Sequence, residues 1–292
     1  MLRRVSTYIR QRELLNKQQP VLVCISGGAD SVALLDVLLR AGYPCIAAHC
    51  NFHLRGEESN RDEQFVRDLC DKWQVPLHVQ SFDTQTYATE HGISIEMAAR
   101  DLRYAWFDEI ARTEHCQAIA VAHHQNDQAE TLLLNLRRGT GLRGLTGMRP
   151  KSPNPLVPDS IPVVRPLLCT THDYIEHYLR DKRHLSWVED STNNDLSIPR
   201  NAIREQLRSY TKAEIEHMAQ TAEYLQGYVD LLDGKKTREA GIAKLYEQLR
   251  EYNFAEIDKI YDALQRGEGG KTFTSKTHKA TIKHRQLCVT SV

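Results

Sequence analysis

The chain has 292 residues, 41% of them hydrophobic and 26% charged, with 38 basic and 38 acidic side chains. That length holds one large domain and one small one, and the composition is ordinary for a soluble globular protein. The zero formal charge argues against coating nucleic acid by bulk electrostatics, although a local basic face stays open. No run approaches the ~20 continuous apolar residues that a membrane-spanning helix needs.

Taken in chain order, MLRRVSTYIRQRELL has early arginines but no apolar core behind them, so it predicts an amphipathic helix and not a secretory signal. VLVCIS is a short apolar run that stops at glycines, a buried strand. DSVALLDVLLRAG is apolar almost all round and ends at Gly42, a buried helix. PCIAAHCNF predicts a second strand, Glu57 to Trp73 a helix with a polar face, and PLHVQSF a third strand. A long helix is expected from Ile95 to Glu114, a fourth strand over QAIAVAHH, and a helix over NDQAETLLLNLRRG. MRPKSPNPLVPDSIPVVRP holds many of the ten prolines and predicts a loop leading into a last short strand, IPVVRPLL. Strands alternating with helices imply an α/β fold, a doubly wound, mainly parallel sheet covered on both faces.

From Thr211 the pattern turns helical, in AEIEHMAQTAEYLQGYVDLL, GIAKLYEQLREY and FAEIDKIYDALQRG, before a strand-like close, KTFTSKTHKATIKHRQLCVTS. Two domains are expected, residues 1–210 and a small, mainly helical second domain over 211–292. The seven cysteines, Cys24, Cys45, Cys50, Cys70, Cys116, Cys169 and Cys288, are odd in number and lack CxxC spacing. They predict no disulfide framework and no zinc ribbon, hence a reducing, cytoplasmic setting.

Chemistry concentrates at two strand ends. In SGGADS, Gly27 and Gly28 permit positive φ and close backbone approach, and the following helix start favours an anion, most simply phosphate. Asp30 would repel that phosphate unless a cation lay between them, which points to Mg²⁺; its plainer role is helix N-cap. The Walker pattern GxxxxGK[ST] and the dinucleotide GxGxxG are absent from this corner. GEGGKT near the C-terminus lacks the required glycine at Gln265 and predicts a turn before a strand. After the fourth strand, AHHQNDQAET places His123, Asp127 and Glu130 at the same kind of address, with Asp127 and Glu130 three apart on a helix. His123 and His124 alternate sides if extended, so they are not expected to share one ion. His49 and His53 follow a strand and are expected in ligand or loop roles.

SGGADS resembles the PP-motif of the N-type ATP pyrophosphatases, which have an adenine nucleotide alpha hydrolase-like fold. CNFHLRGEESNRDEQFV, EMAARDLRYAWF, AHHQNDQAETLLLNLRRGTGLRGLTGM and WVEDSTNNDLSIPRNAIR narrow the resemblance to the tRNA(Ile)-lysidine synthetases over about residues 20–210. Longer members of that family carry a further C-terminal domain, which would begin where this chain ends. The resemblance implies ATP as substrate and adenylation of C2 of the wobble cytidine in the isoleucine tRNA with a CAU anticodon. Attack by L-lysine would then yield lysidine, AMP and pyrophosphate. It implies that Ser26, Gly27, Gly28, Ala29, Asp30 and Ser31 cradle pyrophosphate, with Asp30 on Mg²⁺. It also implies that Arg100, His123, Asp127 and Arg200 serve the reaction centre. Asn126 stands where many members carry an acid. Glu130 or Glu96 is our own expectation for the lysine ammonium. Basic clusters at Arg137, Arg138 and Arg143, at Arg149 and Lys151, at Lys182 and Arg183, and at Lys235, Lys236 and Arg238 are candidate tRNA phosphate contacts. The alternatives are a pyrimidine thiolase of the same superfamily and a non-catalytic adenine-nucleotide-binding module. The oligomeric state stays open, with a homodimer among the options.

Overall fold

The computed structural model describes residues 1–189 and 199–292; the DSTNNDLSI stretch quoted above, residues 190–198, lies outside the described residues. The chain opens with α1 (Leu2–Gln11), β1 (Val21–Cys24), α2 (Ala29–Arg40), β2 (Cys45–Asn51), α3 (Glu57–Trp73) and β3 (Leu77–Ser81). Then come α4 (Thr84–His91), α5 (Ile95–Thr113), β4 (Ala118–Ala120), α6 (Gln125–Arg138), β5 (Lys151–Ser152) and β6 (Val163–Val164). The helices α7 (His172–His177), α8 (Pro199–Leu207), α9 (Lys212–Leu232), α10 (Arg238–Leu249) and α11 (Ile257–Arg266) precede β7 (Thr272–Thr274), β8 (His278–Lys283) and β9 (Gln286–Ser291).

Two compact units divide these elements. One comprises Met1–Thr131 and Met148–Glu216, the other Leu132–Gly147 and His217–Val292. In the first, six strands run in the order β3-β2-β1-β4-β6-β5. β1 pairs in parallel with both β2 and β4, β2 with β3, and β4 with β6; only the two-residue β5 is antiparallel. The chain leaves β1 toward β2 and β3, then returns to β1's other side with β4. The β1/β4 boundary is therefore the switch point at which ligands of open α/β sheets bind.

Burial explains why the strands read as continuous apolar runs. Val21 and Val23 enter one core with Val5, Ile9, Val32 and Leu35 from α1 and α2, while Leu22 enters the opposite core with Tyr104, Phe107 and Ala111 from α5. Both faces are covered, so period-2 polarity disappears. In α3 the buried positions Ser59, Asp62, Val66, Leu69 and Cys70 follow helical spacing.

In the second unit, Ile242, Leu245, Ile257 and Ile260 of α10 and α11 form a core with Ala280 of the antiparallel sheet β7-β8-β9. Thus a small sheet joins the helices there. Gly267 ends α11 at φ 66, and GEGGKT is the turn into β7.

Three elements go beyond the sequence expectation. α4 is short and polar, but Asp83 caps it at the Thr86 N–H and Gly92 closes it in the left-handed region. β5 lies inside the proline-rich stretch, and α7 continues as a wider, π-helical turn over Tyr178–Arg183. Among the described residues, no helix is long and apolar enough to cross a membrane. All seven cysteines are free.

Candidate active site

The corner after β1 is held by its own serines. Ser31 Oγ accepts from the N–H groups of Ser26 and Gly27, each at 3.2 Å, and donates to the Gly28 carbonyl at 2.9 Å. The Gly28 N–H in turn donates to Ser26 Oγ at 3.3 Å. Only Gly27 uses positive φ, at 95°, and a Cβ there would lie 2.8 Å from Val188 Cγ2. Gly28 was expected to share that need. Instead it sits at φ −71, ψ 162 as the N-cap of α2, where its carbonyl already accepts the first helical bond. Asp30 is accordingly not the cap. It lies in the first turn and points its carboxylate toward the end of β4.

There Asp30 meets two imidazoles. His172 Nδ1 lies 3.0 Å from Asp30 Oδ1, and His124 Nε2 lies 3.4 Å from Asp30 Oδ2. The same His124 nitrogen is 3.4 Å from Asp127 Oδ2, an oxygen that also accepts the His124 backbone N–H at 3.0 Å. Asp127 therefore closes the start of α6 as well as facing the site. Burial alone would lower the His124 imidazole, yet Asp127 and Asp30 outweigh it and push it up to about 9. Burial likewise opposes the Asp30 charge, but His124 and His172 hold that carboxyl well below the usual range. The hydrogen bond to Asp30 raises His172.

Beyond Asp127 the chain of charges continues to α8. Arg200 Nη2 donates to Asp127 Oδ1 at 3.0 Å and Arg200 Nε to Glu130 Oε2 at 2.7 Å; Arg204 Nε donates to Glu130 Oε1 at 2.8 Å. Removing one member of a buried ion pair costs about 3–5 kcal/mol. The value is smaller here, because the guanidiniums keep 34% and 40% of their side-chain surface exposed. A cleft of about 510 Å³ is lined by Asp30, His124, Asp127, Glu130, His172 and Arg204.

The structure thus brings together Asp30, Asp127, Glu130 and Arg200 of the expected residues. His123 is half-buried, with Nδ1 enclosed and unpartnered; burial takes its imidazole down to about 4 against the pull of Asp127. Its neighbour His124 supplies the contacts to the two carboxylates. Arg100 is exposed, its guanidinium 5.2 Å from the Tyr104 ring centroid, and Glu96 is exposed on the same helix. His49 lies inside β2 at 4% exposure with Nδ1 on the Ile25 carbonyl, a core position.

His172 and Arg204 escaped the sequence reading. Arg204 follows Arg200 by four residues, so helical spacing could have found it. His172 follows the last parallel strand, the same address as the other site residues, but β6 is only two residues long.

Four of the ten candidate tRNA-binding cations are paired with acids. Arg183 holds Asp36 at 2.9 Å, Arg143 holds Asp233 at 2.6 Å, Arg238 holds Asp262 at 2.8 Å, and Lys235 lies 3.5 Å from Asp233.

A doubly wound sheet with a serine-glycine corner and a His–carboxylate cluster at its switch point defines an ATP-using enzyme class, and the PP-loop domain family matches residues 2–211. The TilS substrate binding domain family matches residues 232–292. The tRNA(Ile)-lysidine synthase of Parabacteroides distasonis is 42% identical, over 100% of this chain and 70% of its own length. That of Bacteroides thetaiotaomicron is 44% identical, over 97% and 70%. The chain belongs to the tRNA(Ile)-lysidine synthase family. Among solved structures, the U34-tRNA thiolase NcsA from Methanococcus maripaludis shares the fold, with TM-score 0.59 and 17% identity over 77% of each chain.

Proposed function

We propose that this chain ligates L-lysine to C2 of the wobble cytidine in the isoleucine tRNA with a CAU anticodon, at the expense of ATP. The cytidine O2 attacks the α-phosphorus of ATP and pyrophosphate leaves. The lysine ε-amine then attacks C2, the C2–O bond breaks, and AMP departs with that oxygen. The observation that carries this reading is the cluster of Asp30, His124, Asp127, Arg200 and Glu130 at the β1/β4 switch point of a chain in this family.

Each residue has a physical task. Ser26, Gly27, Gly28, Ala29 and Ser31 shape the anion site at the start of α2, where backbone N–H groups and the helix dipole favour the departing pyrophosphate. Magnesium prefers oxygen ligands and keeps several waters. Of that donor set Asp30 supplies the oxygen that would hold the ion; bound there, it would neutralise charge on the leaving group. His124 and His172 then orient the Asp30 carboxylate. Arg200 and Arg100 are assigned to charge developing on the α-phosphate and leaving AMP. His123, unprotonated at neutral pH, is assigned the role of proton acceptor for the reacting amine. Of the two acids assigned to the lysine ammonium, Glu130 already holds the guanidiniums of Arg200 and Arg204, whereas Glu96 is exposed. The residues 1–210 are assigned to this chemistry and 211–292 to substrate contacts.

The thiolase alternative, in its iron–sulfur form, calls for clustered cysteines. Among the described residues, the group with metal-ligand geometry is Asp30, His124 and His172, without a cysteine.

The test is pyrophosphate release. Wild-type protein should release it only when ATP and the isoleucine tRNA are both present. Asp30→Ala should lose that release by at least about a hundredfold, the scale of a lost electrostatic contact to a transition state, with an unchanged circular dichroism spectrum. A folded, fully active Asp30→Ala variant contradicts the assignment.

A further inference from the structure

Arg165 follows β6 directly and is buried, with only 8% of its surface exposed. Its Nη1 donates to the Arg149 carbonyl at 2.9 Å and to Ser152 Oγ at 3.0 Å, both neutral acceptors. Its Nε is enclosed without any partner. Among the described residues no carboxylate pairs with it. Burial lowers its affinity for its proton; Tyr104 opposes that, Arg100 adds a like charge, and Tyr8 opposes in turn, so no full negative charge answers the guanidinium among the described residues. A guanidinium taken out of water without a countercharge is strongly disfavoured, so the missing countercharge calls for a ligand.

The neighbourhood agrees. β6 lies beside β4, and the charges of Arg165 and Arg200 are both felt at His123, whose Nδ1 is likewise enclosed and unpartnered. Two of the unsatisfied groups, Arg165 Nε and His123 Nδ1, therefore belong to neighbouring strand ends. The phosphate corner lies at β1, two strand spacings away, roughly 10 Å. ATP phosphates held at that corner leave Arg165 unanswered. A tRNA phosphate, fixed on a polymer, is poorly suited to a cation that is nine-tenths buried. A small free carboxylate fits, because a guanidinium fork presents paired N–H donors to its two oxygens.

We propose that Arg165 binds the α-carboxylate of the lysine substrate. This rests on the lysine-ligation reading above. It supplies a discrimination that the chemistry needs: the attacking ε-amine is shared with diamines, and only the carboxylate distinguishes an amino acid from them.

The experiment uses the full chain with isoleucine tRNA transcript and ATP, and compares lysine with lysine amide, which lacks the carboxylate charge. Wild-type protein should show a KM about a hundredfold higher for the amide, the scale of a lost buried ionic contact. Arg165→Gln should raise the lysine KM by a similar factor and no longer distinguish lysine from the amide. Its pyrophosphate release with tRNA and ATP alone should stay near the wild-type rate. Wild-type protein that uses the amide as well as lysine overturns the proposal, whether or not the variant folds. So does an Arg165→Gln protein that loses pyrophosphate release while keeping its lysine KM, since the cation then serves the nucleotide. Wild-type protein that releases no pyrophosphate with tRNA and ATP overturns the underlying reading as well.

Discussion

His124 stands between two carboxylates, 3.4 Å from each, and that placement sets a pH dependence. Its imidazole is raised from an ordinary value near 6.5 to about 9. A group whose folded value is raised stabilises the fold fully below the unfolded value and ceases to do so as pH climbs through the folded one. In chelator-containing buffer, the melting temperature should therefore decline between about pH 6.5 and 9, and His124→Gln should flatten that decline. An equal slope in both proteins removes His124 from this role. At this scale much of the site was legible. Asp30, Asp127 and Glu130 were marked by strand ends and by i, i+3 spacing, which are local signals. The choice between His123 and His124 was not legible, because it depends on which imidazole the turn after β4 aims at Asp30. His172 depends on a contact 142 residues away in sequence.

At the scale of elements, the corner separates two glycines that look equivalent in the sequence. Gly27 has φ 95 and no room for a Cβ beside Val188, whereas a Cβ on Gly28 would meet only ordinary contacts, 3.6 Å from Ser26 Oγ and 3.8 Å from the Val188 carbonyl. Gly27→Ala should destabilise the protein by at least about 1–2 kcal/mol from backbone strain alone. Gly28→Ala should cost only about the difference between a glycine and an alanine N-cap, within about 1 kcal/mol. Denaturant melts of the two variants check this, and equal losses would contradict it. Long elements such as α3 and α5 were readable because their burial repeats at helical spacing over about three turns or more. α4 has almost no apolar stripe, and only its caps mark it, so the sequence pattern did not announce it. β5 is a two-residue pairing fixed by β6, so no local pattern announces it.

The whole molecule joins a doubly wound unit to a second unit of helices and a small antiparallel sheet, and its formal charge is zero. Several cations that read as basic clusters in the sequence are partnered by acids in the fold, as with Arg143 and Asp233. A charge run shows which residues are ionised, and only the fold shows which of them already have a counter-ion. The fold class was legible from strand–helix alternation because the central parallel strands β1, β4 and β6 are buried on both faces. The substrate was legible only through the family resemblance. The measurement that bears most directly on the account is transfer of labelled lysine to the isoleucine tRNA transcript with a CAU anticodon, in the presence of ATP. The account predicts ATP-dependent label on that tRNA, located at the wobble cytidine, and none on a transcript with that cytidine replaced by uridine. Label that stays free, or that appears equally on both transcripts, would contradict it.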